Sequence, residues 1–215
     1  MPITTRTTPS RHADRTRDEP EVVHQILDEA LVCHLSFIVG GEPRVLPTLH
    51  ARDGDTLYLH GSTGSRPMLA ARPDGLPVCV AVTLLDGLVL ARSQFNHSVN
   101  YRSAVIHGRA RLVTDATEKR RALAALVDHV VAGRSQDSRP PSDRELAQTA
   151  VLALSLAEAS TKVRAGGPVD QPEDLSLPHW SGVLPLRLVA GDPESGAEGV
   201  AVPLPPYLRT YRRQR

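Results

Sequence analysis

Sulfur, aromatic residues and long apolar runs are all scarce in this sequence, and each scarcity narrows the class of protein. The two cysteines among 215 residues, Cys33 and Cys79, form no Cys-x-x-Cys pair, so we expect two buried free thiols in a reducing cytoplasm. Phe, Trp and Tyr make up only 3% of the residues, so Val, Leu and Ala must supply most of the core. No apolar run approaches the roughly 20 residues of a membrane-spanning helix, and the N-terminal segment lacks the apolar part of a signal peptide. We therefore expect a cytoplasmic protein that does not contact a membrane.

The charges nearly cancel, with 25 Lys and Arg against 24 Asp and Glu. The chain therefore has no overall basic field that would predict a nucleic-acid partner. The basic C-terminal "LRTYRRQR" is expected to be a solvated tail. No His-x-His, His-Glu-x-x-His or Cys/His spacing predicts a metal site. The Gly-x-Ser-x-Gly elbow of serine hydrolases is also missing.

Composition divides the chain into three parts. Residues 1–17 are polar and are expected to form a flexible segment, 18–190 are expected to form one domain, and 191–215 are expected to be peripheral. Apolar periodicity and capping residues predict four helices. They begin at Asp18, at Ser65, at Asp115 or Thr117, and at Ser142, and the last runs through most of "SDRELAQTAVLALSL". Alternating residues predict strands over 31–39, 44–51, 56–61, 76–85, 88–94, 101–114, 156–166 and 180–189.

The order of these elements predicts the fold class. Asp-Gly pairs at 53–54 and 86–87 indicate hairpins, so the sheet should be mostly antiparallel. Pro47 within its strand indicates an edge or a bulge. A sheet of this length with few helices would curl and close, so we expect a mainly β fold, a barrel with flanking helices.

The segment "YLHGSTGSRPMLAA", residues 58–71, joins a predicted strand to a short predicted helix. Its glycines expose backbone N–H groups, its serines and threonine supply hydroxyls, and Arg66 supplies a guanidinium, which together suit a phosphate. The segment is neither a P-loop nor a dinucleotide fingerprint. The alternative is a Gly/Ser turn in which Ser65 caps the helix and Arg66 is solvated.

Four segments, "RVLPTLH", "LYLHGSTGSRPMLAA", "NYRSAVIHGRARLV" and "WSGVLPL", occur in an order and at a spacing that resemble a known family. They are similar to the pyridoxamine 5′-phosphate oxidase-like flavoproteins with the FMN-binding split barrel, and most similar to the branch of nitroimidazole-resistance-type proteins. The resemblance covers roughly residues 18–188. It implies a split β-barrel homodimer that binds FMN at the subunit interface.

The resemblance also implies the cofactor contacts. Ser65 and Arg66 match the element that holds the FMN phosphate, although Pro67 stands where the family commonly has Lys, so Arg66 is left to hold the phosphate nearly alone. The full set of implied cofactor-binding residues is Arg44, Val45, Leu46, Pro47, Thr48, His60, Gly61, Ser62, Ser65, Arg66, Asn100, Arg102, Ser103 and Trp180. A substrate rim is expected from His50, near a family lysine, and from Lys162 and Arg164, which alternate onto one strand face that is otherwise simply solvated.

These implications predict an FMN-dependent oxidoreductase that acts on a small molecule. Pyridoxamine phosphate itself is not the expected substrate, because Arg187 lacks the paired His of the substrate-binding Arg-x-His motif. No side chain is predicted to be catalytic. Three alternatives stay open: a flavin-binding module without turnover, a haem protein on the same barrel, and a protein that binds the deazaflavin F420.

Overall fold

The computed structural model describes residues 4–9, 13–17, 19–196, 199 and 202–211. Its strands are β1 Val32–Val39, β2 Glu42–Asp53, β3 Thr56–Ser62, β4 Leu76–Leu90, β5 Ser98–Leu112, β6 Thr149–Ser155, β7 Ala159–Arg164 and β8 Gly182–Pro185. Its α-helices are α1 Pro20–Glu29, α2 Arg66–Ala70, α3 Ala116–Val130, α4 Asp143–Gln148 and α5 Pro206–Arg209. The predicted cap at Asp18 lies outside the described residues.

Six strands close into a ring in the order β1, β2, β3, β6, β5, β4 and back to β1. β7 is attached to β5, and β8 is attached to β4. Every pairing between the described strands is antiparallel. The predicted mainly β, antiparallel split barrel with flanking helices is therefore confirmed.

Inward-facing aliphatic residues of β1, β3, β4, β5 and β6 form the core of the barrel, and α1 packs against this core. Leu35, Val80, Ile106 and Leu152 are each at most 1% exposed. Burying a side chain of this size stabilises the folded state by about 1.5–3 kcal/mol. The scarcity of aromatic residues is thus met by close packing of branched aliphatic side chains.

The helix α3 packs against the outer face of the barrel. Its N-cap is Asp115, one of the two caps expected from the sequence, and the Oδ1 of Asp115 accepts a hydrogen bond of 2.7 Å from the backbone N–H of Glu118. Tyr58 on β3 lies beneath the helix and donates its hydroxyl to Oε1 of Glu118 over 2.9 Å. These contacts hold α3 over β3 and β6.

The predicted hairpin at Asp86–Gly87 is wrong, because β4 continues through it to Leu90 with one irregularity in its register. Asp86 is paired with Arg102 on β5. At Gly87, a Cβ atom would lie 3.2 Å from the backbone oxygen of Leu184 on β8. The glycine therefore allows a strand to approach closely rather than a turn to form.

The helix predicted from Ser142 is correct at its start and wrong at its end. Ser142 and Glu145 form the predicted capping box, but α4 ends at Gln148 and the next seven residues form β6. A short apolar run fits a buried strand as well as a helix. Since β6 lies between β3 and β5, closure of the barrel decides its conformation.

Candidate functional site

The barrel is split between β2 and β3. Their ladder ends at the pair His50–Leu59. Beyond it, residues 42–49 of β2 pair only with β1, and residues 60–62 of β3 pair only with β6, among the described strands. Pro47 thus has the predicted edge position. Leu49 and His60 flank the point where the two strands separate.

The predicted phosphate element lies at the end of β3, just beyond the split. Ser65 precedes α2, yet its side chain makes no capping hydrogen bond, and its buried Oγ has no hydrogen-bond partner among the described residues. Ser65 thus stands at the N-cap position of α2, as in the alternative of a Gly/Ser turn, but its hydroxyl does not cap the helix. Arg66 is exposed and forms no ion pair with any described residue. Pro67, at the family's Lys position, is buried.

Gly61 lies next to the side chains of Ser65 and Met68, which come close to its backbone. A Cβ atom at Gly61 would lie 3.3 Å from Oγ of Ser65 and 3.1 Å from Cε of Met68. Ser62 accepts a hydrogen bond of 3.3 Å from the backbone N–H of Gly64, so its hydroxyl helps to shape the turn. The segment therefore contains one hydroxyl, that of Ser65, without a hydrogen-bond partner among the described residues. It also contains one guanidinium, that of Arg66, without an ion-pair partner among them.

The predicted contacts on β2 lie along its free edge. Arg44, Val45, Leu46 and Pro47 are exposed, and Thr48 is partly exposed. Val45 is 63% exposed and Leu46 43%, which is unusual for aliphatic residues that lie next to each other in a strand. This edge is open to a ligand or to another chain.

Two further predicted residues contact each other where β5 lies beside β7. Arg164 donates from Nη1 to Oδ1 of Asn100 over 2.5 Å, and Asn100 donates from Nδ2 to the backbone oxygen of Gly166 over 3.0 Å. Ser103 is the register partner of Lys162. The structure thus brings predicted cofactor and rim residues into one group.

Arg102 lies in the same part of β5 but is engaged by acidic side chains. It forms ion pairs with Glu29 of α1 and with Asp86 of β4. These hydrogen bonds raise the pKa of the Arg102 guanidinium further above its usual range. These ion pairs join α1, β4 and β5. They engage the guanidinium of Arg102, for which the family resemblance implied a cofactor contact.

The two remaining residues, His50 and Trp180, have opposite environments. His50 is fully buried, with its Nε2 3.0 Å from the backbone oxygen of Leu27, and its ring centroid is 4.9 Å from that of His129. This burial differs from the rim position that we expected for His50. Trp180 is 66% exposed, and a Cβ atom at Gly182 would lie 2.7 Å from its ring.

A cavity of about 780 Å³ opens at the split, between the barrel and α3. Leu49 and His60 line it from the strands, and Leu123, Leu126, Val127 and Val130 line it from α3. Polar residues of the segment 135–149 and Arg120 complete its wall. Sequence reasoning missed this cavity, although the α3 residues form the apolar stripe that predicts the helix.

Lys162 faces a different and smaller cavity of about 270 Å³, which Thr7, Thr8, Thr16 and Ser103 also line. No described group of three or more His, Cys, Asp or Glu side chains could hold a metal ion. In the described part of the chain, no helix has the length and apolar character that crossing a membrane requires.

The family model described as "Pyridoxamine 5'-phosphate oxidase" matches residues 19–163. No curated protein matches the chain.

Two solved structures are similar over nearly the whole chain. The flavocytochrome Anf3 from Azotobacter vinelandii is 38% identical, with a TM-score of 0.90 and 97% of each chain covered. The FAD and haem binding protein from Mycobacterium smegmatis is 37% identical, with a TM-score of 0.85, 91% of this chain and 96% of that chain covered.

A more distant similarity extends to the fold alone. A protein from Bacteroides thetaiotaomicron, described as a 5-nitroimidazole antibiotic resistance protein, is 23% identical with a TM-score of 0.58, and 69% of this chain and 86% of that chain are covered.

Proposed function

The chain belongs to the pyridoxamine 5′-phosphate oxidase family, and on this basis we propose that it is a homodimeric oxidoreductase that binds a flavin and a haem. The flavin lies at the split of the barrel, with its phosphate on Ser65 and Arg66. The substrate is a small molecule other than pyridoxamine phosphate. A bound flavin supplies the redox chemistry, while the chain binds and orients it.

The observation that carries this proposal is the unengaged pair of Ser65 and Arg66. A buried hydroxyl without a partner costs free energy, and a phosphate oxygen would accept its hydrogen bond. The guanidinium of Arg66 is free to form a charge-assisted pair with the same phosphate. Gly61 lets the side chains of Ser65 and Met68 lie against the backbone of β3, because no Cβ occupies that space.

Between the two common flavins, we propose FAD in place of the expected FMN. Pro67 is buried in α2, so Arg66 is the cation that this segment offers to a flavin phosphate. The terminal phosphate of FMN concentrates roughly two negative charges at that place. The pyrophosphate of FAD spreads two charges over two phosphates, so that only one of them lies at Arg66. The relative from Mycobacterium smegmatis is described as binding FAD and haem.

The open edge of β2 supports a dimer as the binding unit. A second copy brings its own β5 and β7 to the open edge of β2. Val45 and Leu46 on that edge supply exposed apolar surface for the contact.

The haem is supported by both relatives above 35% identity, one of them a flavocytochrome and the other an FAD and haem binding protein. Their similarity extends over more than nine-tenths of this chain. The cavity between α3 and the barrel offers a place of suitable size for the haem. A chain with both groups would exchange electrons between a flavin and a haem.

The visible absorption spectrum of the purified protein tests this proposal. Flavin bands together with a Soret band are expected, either as isolated or after FAD and haemin are added. Titration with FAD, FMN and the deazaflavin F420 then ranks the three by dissociation constant. A colourless protein that ignores all of these ligands would refute the proposal.

Turnover separates an enzyme from a non-catalytic flavin-binding module. The loaded protein is mixed with NADPH and a quinone or nitroaromatic acceptor, and acceptor reduction is followed in the steady state. Sustained reduction supports the oxidoreductase. Binding without turnover over a broad panel of donors and acceptors would favour the module.

A further inference from the structure

We propose that the haem binds in the cavity between α3 and the split of the barrel, with His60 as its one axial ligand from the protein. This inference rests on the proposed haem-binding function and assigns its place in the chain. The iron would then keep a sixth position open to a small ligand such as carbon monoxide, cyanide or dioxygen.

The position of His60 follows from the pleat of β3. Side chains two residues apart lie on the same face of a strand, so His60 shares the face of Tyr58, whose hydroxyl contacts Glu118 on α3. His60 is exposed, lines the cavity and makes no hydrogen bond with any described residue. Its ring nitrogens are therefore available to a metal.

The volume and the lining of the cavity suit a large, mostly apolar group. Its volume of about 780 Å³ is within the range of cofactor pockets. Leu123, Val127 and Val130 form an aliphatic wall along α3. Val127 is 39% exposed, so a bound macrocycle would bury apolar surface that now faces the cavity.

Two arginines on the rim suit the propionates of haem. Arg120, Arg139 and Glu145 line the cavity; Arg139 is paired with Glu145, whereas Arg120 is paired with Asp143, which does not line it. Asp143 is 97% exposed on its side chain, so exchanging this pair for a propionate costs little free energy.

The remaining histidines near α3 have other roles. His129 lies 2.7 Å from the backbone oxygen of Ala30, and His50 lies 3.0 Å from that of Leu27. Among the described residues that line the cavity, His60 is the only histidine, and none of the others is a methionine or a cysteine. The absence of a second such ligand from this wall is the reason for expecting an open sixth position.

The first test is haem titration of the full-length protein, followed by its Soret band and by electron paramagnetic resonance. The wild type is expected to take up one haem per chain, with a high-spin ferric signal that cyanide converts to low spin. His60→Ala is expected to weaken haem binding at least tenfold, and added imidazole should restore the Soret band. His97→Ala, which removes an exposed histidine outside this cavity, is the matched control and should bind haem as the wild type does.

A second pair of variants tests the cavity without touching the ligand. Ala124→Trp places an indole among the residues that line the cavity and should block haem uptake. Ala125→Trp places it on the same helix outside the lining residues and should not. Circular dichroism and thermal melting confirm that each variant is folded.

The outcomes separate this inference from the proposed function. Unchanged haem affinity and spectrum in folded His60→Ala would overturn the assignment of the ligand, and unimpaired uptake by folded Ala124→Trp would overturn the assignment of the cavity. A low-spin wild-type spectrum without added ligand would overturn the open sixth position. A wild type that binds FAD but no haem would refute the haem part of the proposed function itself.

Discussion

Arg102 donates a hydrogen bond from Nη2 to Oε1 of Glu29 over 2.8 Å and thereby joins the C-terminal end of α1 to β5. Asp86 of β4 accepts from the same guanidinium. The side chains of Arg102 and Glu29 are 19% and 13% exposed, so this network lies largely out of water. Arg102, for which the family resemblance implied a cofactor contact, thus stabilises the packing of α1 on the barrel.

We expect Arg102→Met to destabilise the protein by about 3 kcal/mol, because it leaves two partly buried carboxylates without their cation. Arg102→Lys keeps the charge but not the planar fork, so its cost should be intermediate. Arg52→Met removes a more exposed pair with Asp28 and should cost about 1 kcal/mol or less. Urea unfolding of the three variants measures these values. A loss below 1 kcal/mol in Arg102→Met would contradict a structural role.

Arg66→Ala should weaken flavin binding by about 1.5–3 kcal/mol, the free energy of a hydrogen bond to a charged group. Ser65→Ala should have a smaller effect, since it removes a neutral donor. Arg72→Ala removes an exposed arginine soon after α2 and serves as the control for net charge. Quenching of flavin fluorescence in a titration gives the dissociation constants. Equal affinities of Arg66→Ala and Arg72→Ala would mean that the phosphate lies elsewhere.

Val45→Asp and Leu46→Asp should shift the protein from dimer towards monomer, because a charge on this apolar edge would be buried without a partner. Flavin affinity should fall together with the dimer fraction. Val169→Asp introduces the same charge at a residue that is 71% exposed and away from β2. Sedimentation velocity measures the association state. The proposed interface would be wrong if the Val45 and Val169 variants dimerised equally well.

Unfolding at low pH should measure how much the carboxylate of Glu118 contributes to the stability of the folded state. Its pairing with Arg111 and its hydrogen bond from Tyr58 lower the pKa of its carboxyl, so its stabilisation is complete above the unfolded pKa of about 4.3 and is lost as the pH falls through the lower folded pKa. Glu118→Gln should therefore be less stable by about 1 kcal/mol at pH 7 and should lose less stability towards pH 3.

Urea midpoints at a series of pH values measure this difference. Glu21→Gln, at an exposed position of α1, is the control and should parallel the wild type. If the gap between wild type and Glu118→Gln stayed constant down to pH 3, the carboxyl would not titrate as described.

Gly75→Ala and Gly133→Ala separate backbone strain from crowding. Both glycines have a φ of 82°, which costs an alanine about 1–2 kcal/mol. Only at Gly75 would the new Cβ meet neighbours, at 3.0 Å from the backbone oxygen of Ala110 and 2.9 Å from Cγ of Arg109. Thermal unfolding should show the larger loss for Gly75→Ala. Equal losses would mean that the chain relieves the crowding at no cost.

Local patterns in the sequence predict most of the fold correctly. The caps at Asp115 and Ser142, the hairpin at Gly54 and the edge position of Pro47 each depend on residues that are near each other in the chain. The two errors, the hairpin at Gly87 and the helix over β6, occur where a distant strand decides the conformation. At both places the local signal was compatible with two structures.

The same division holds for the candidate site. The sequence identified Ser65 and Arg66, and the resemblance supplied their partner ligand. It could not show that Arg102 is engaged by Glu29 and Asp86, because those residues lie 73 and 16 positions away along the chain. Nor could the sequence show that His50 is buried, since a histidine at the end of a strand can lie in the interior or on the surface without any difference in the local sequence.

By itself, the sequence determined the closed antiparallel barrel, because alternation and turn residues act within a few positions. It also determined the type of chemistry at the start of α2, through the hydroxyl and guanidinium it places there. Only the tertiary structure decided which polar groups remain unengaged, where the barrel splits, and that α3 leaves a cavity beside His60. These features depend on contacts between residues far apart in sequence, and such contacts exist only once the strands have paired.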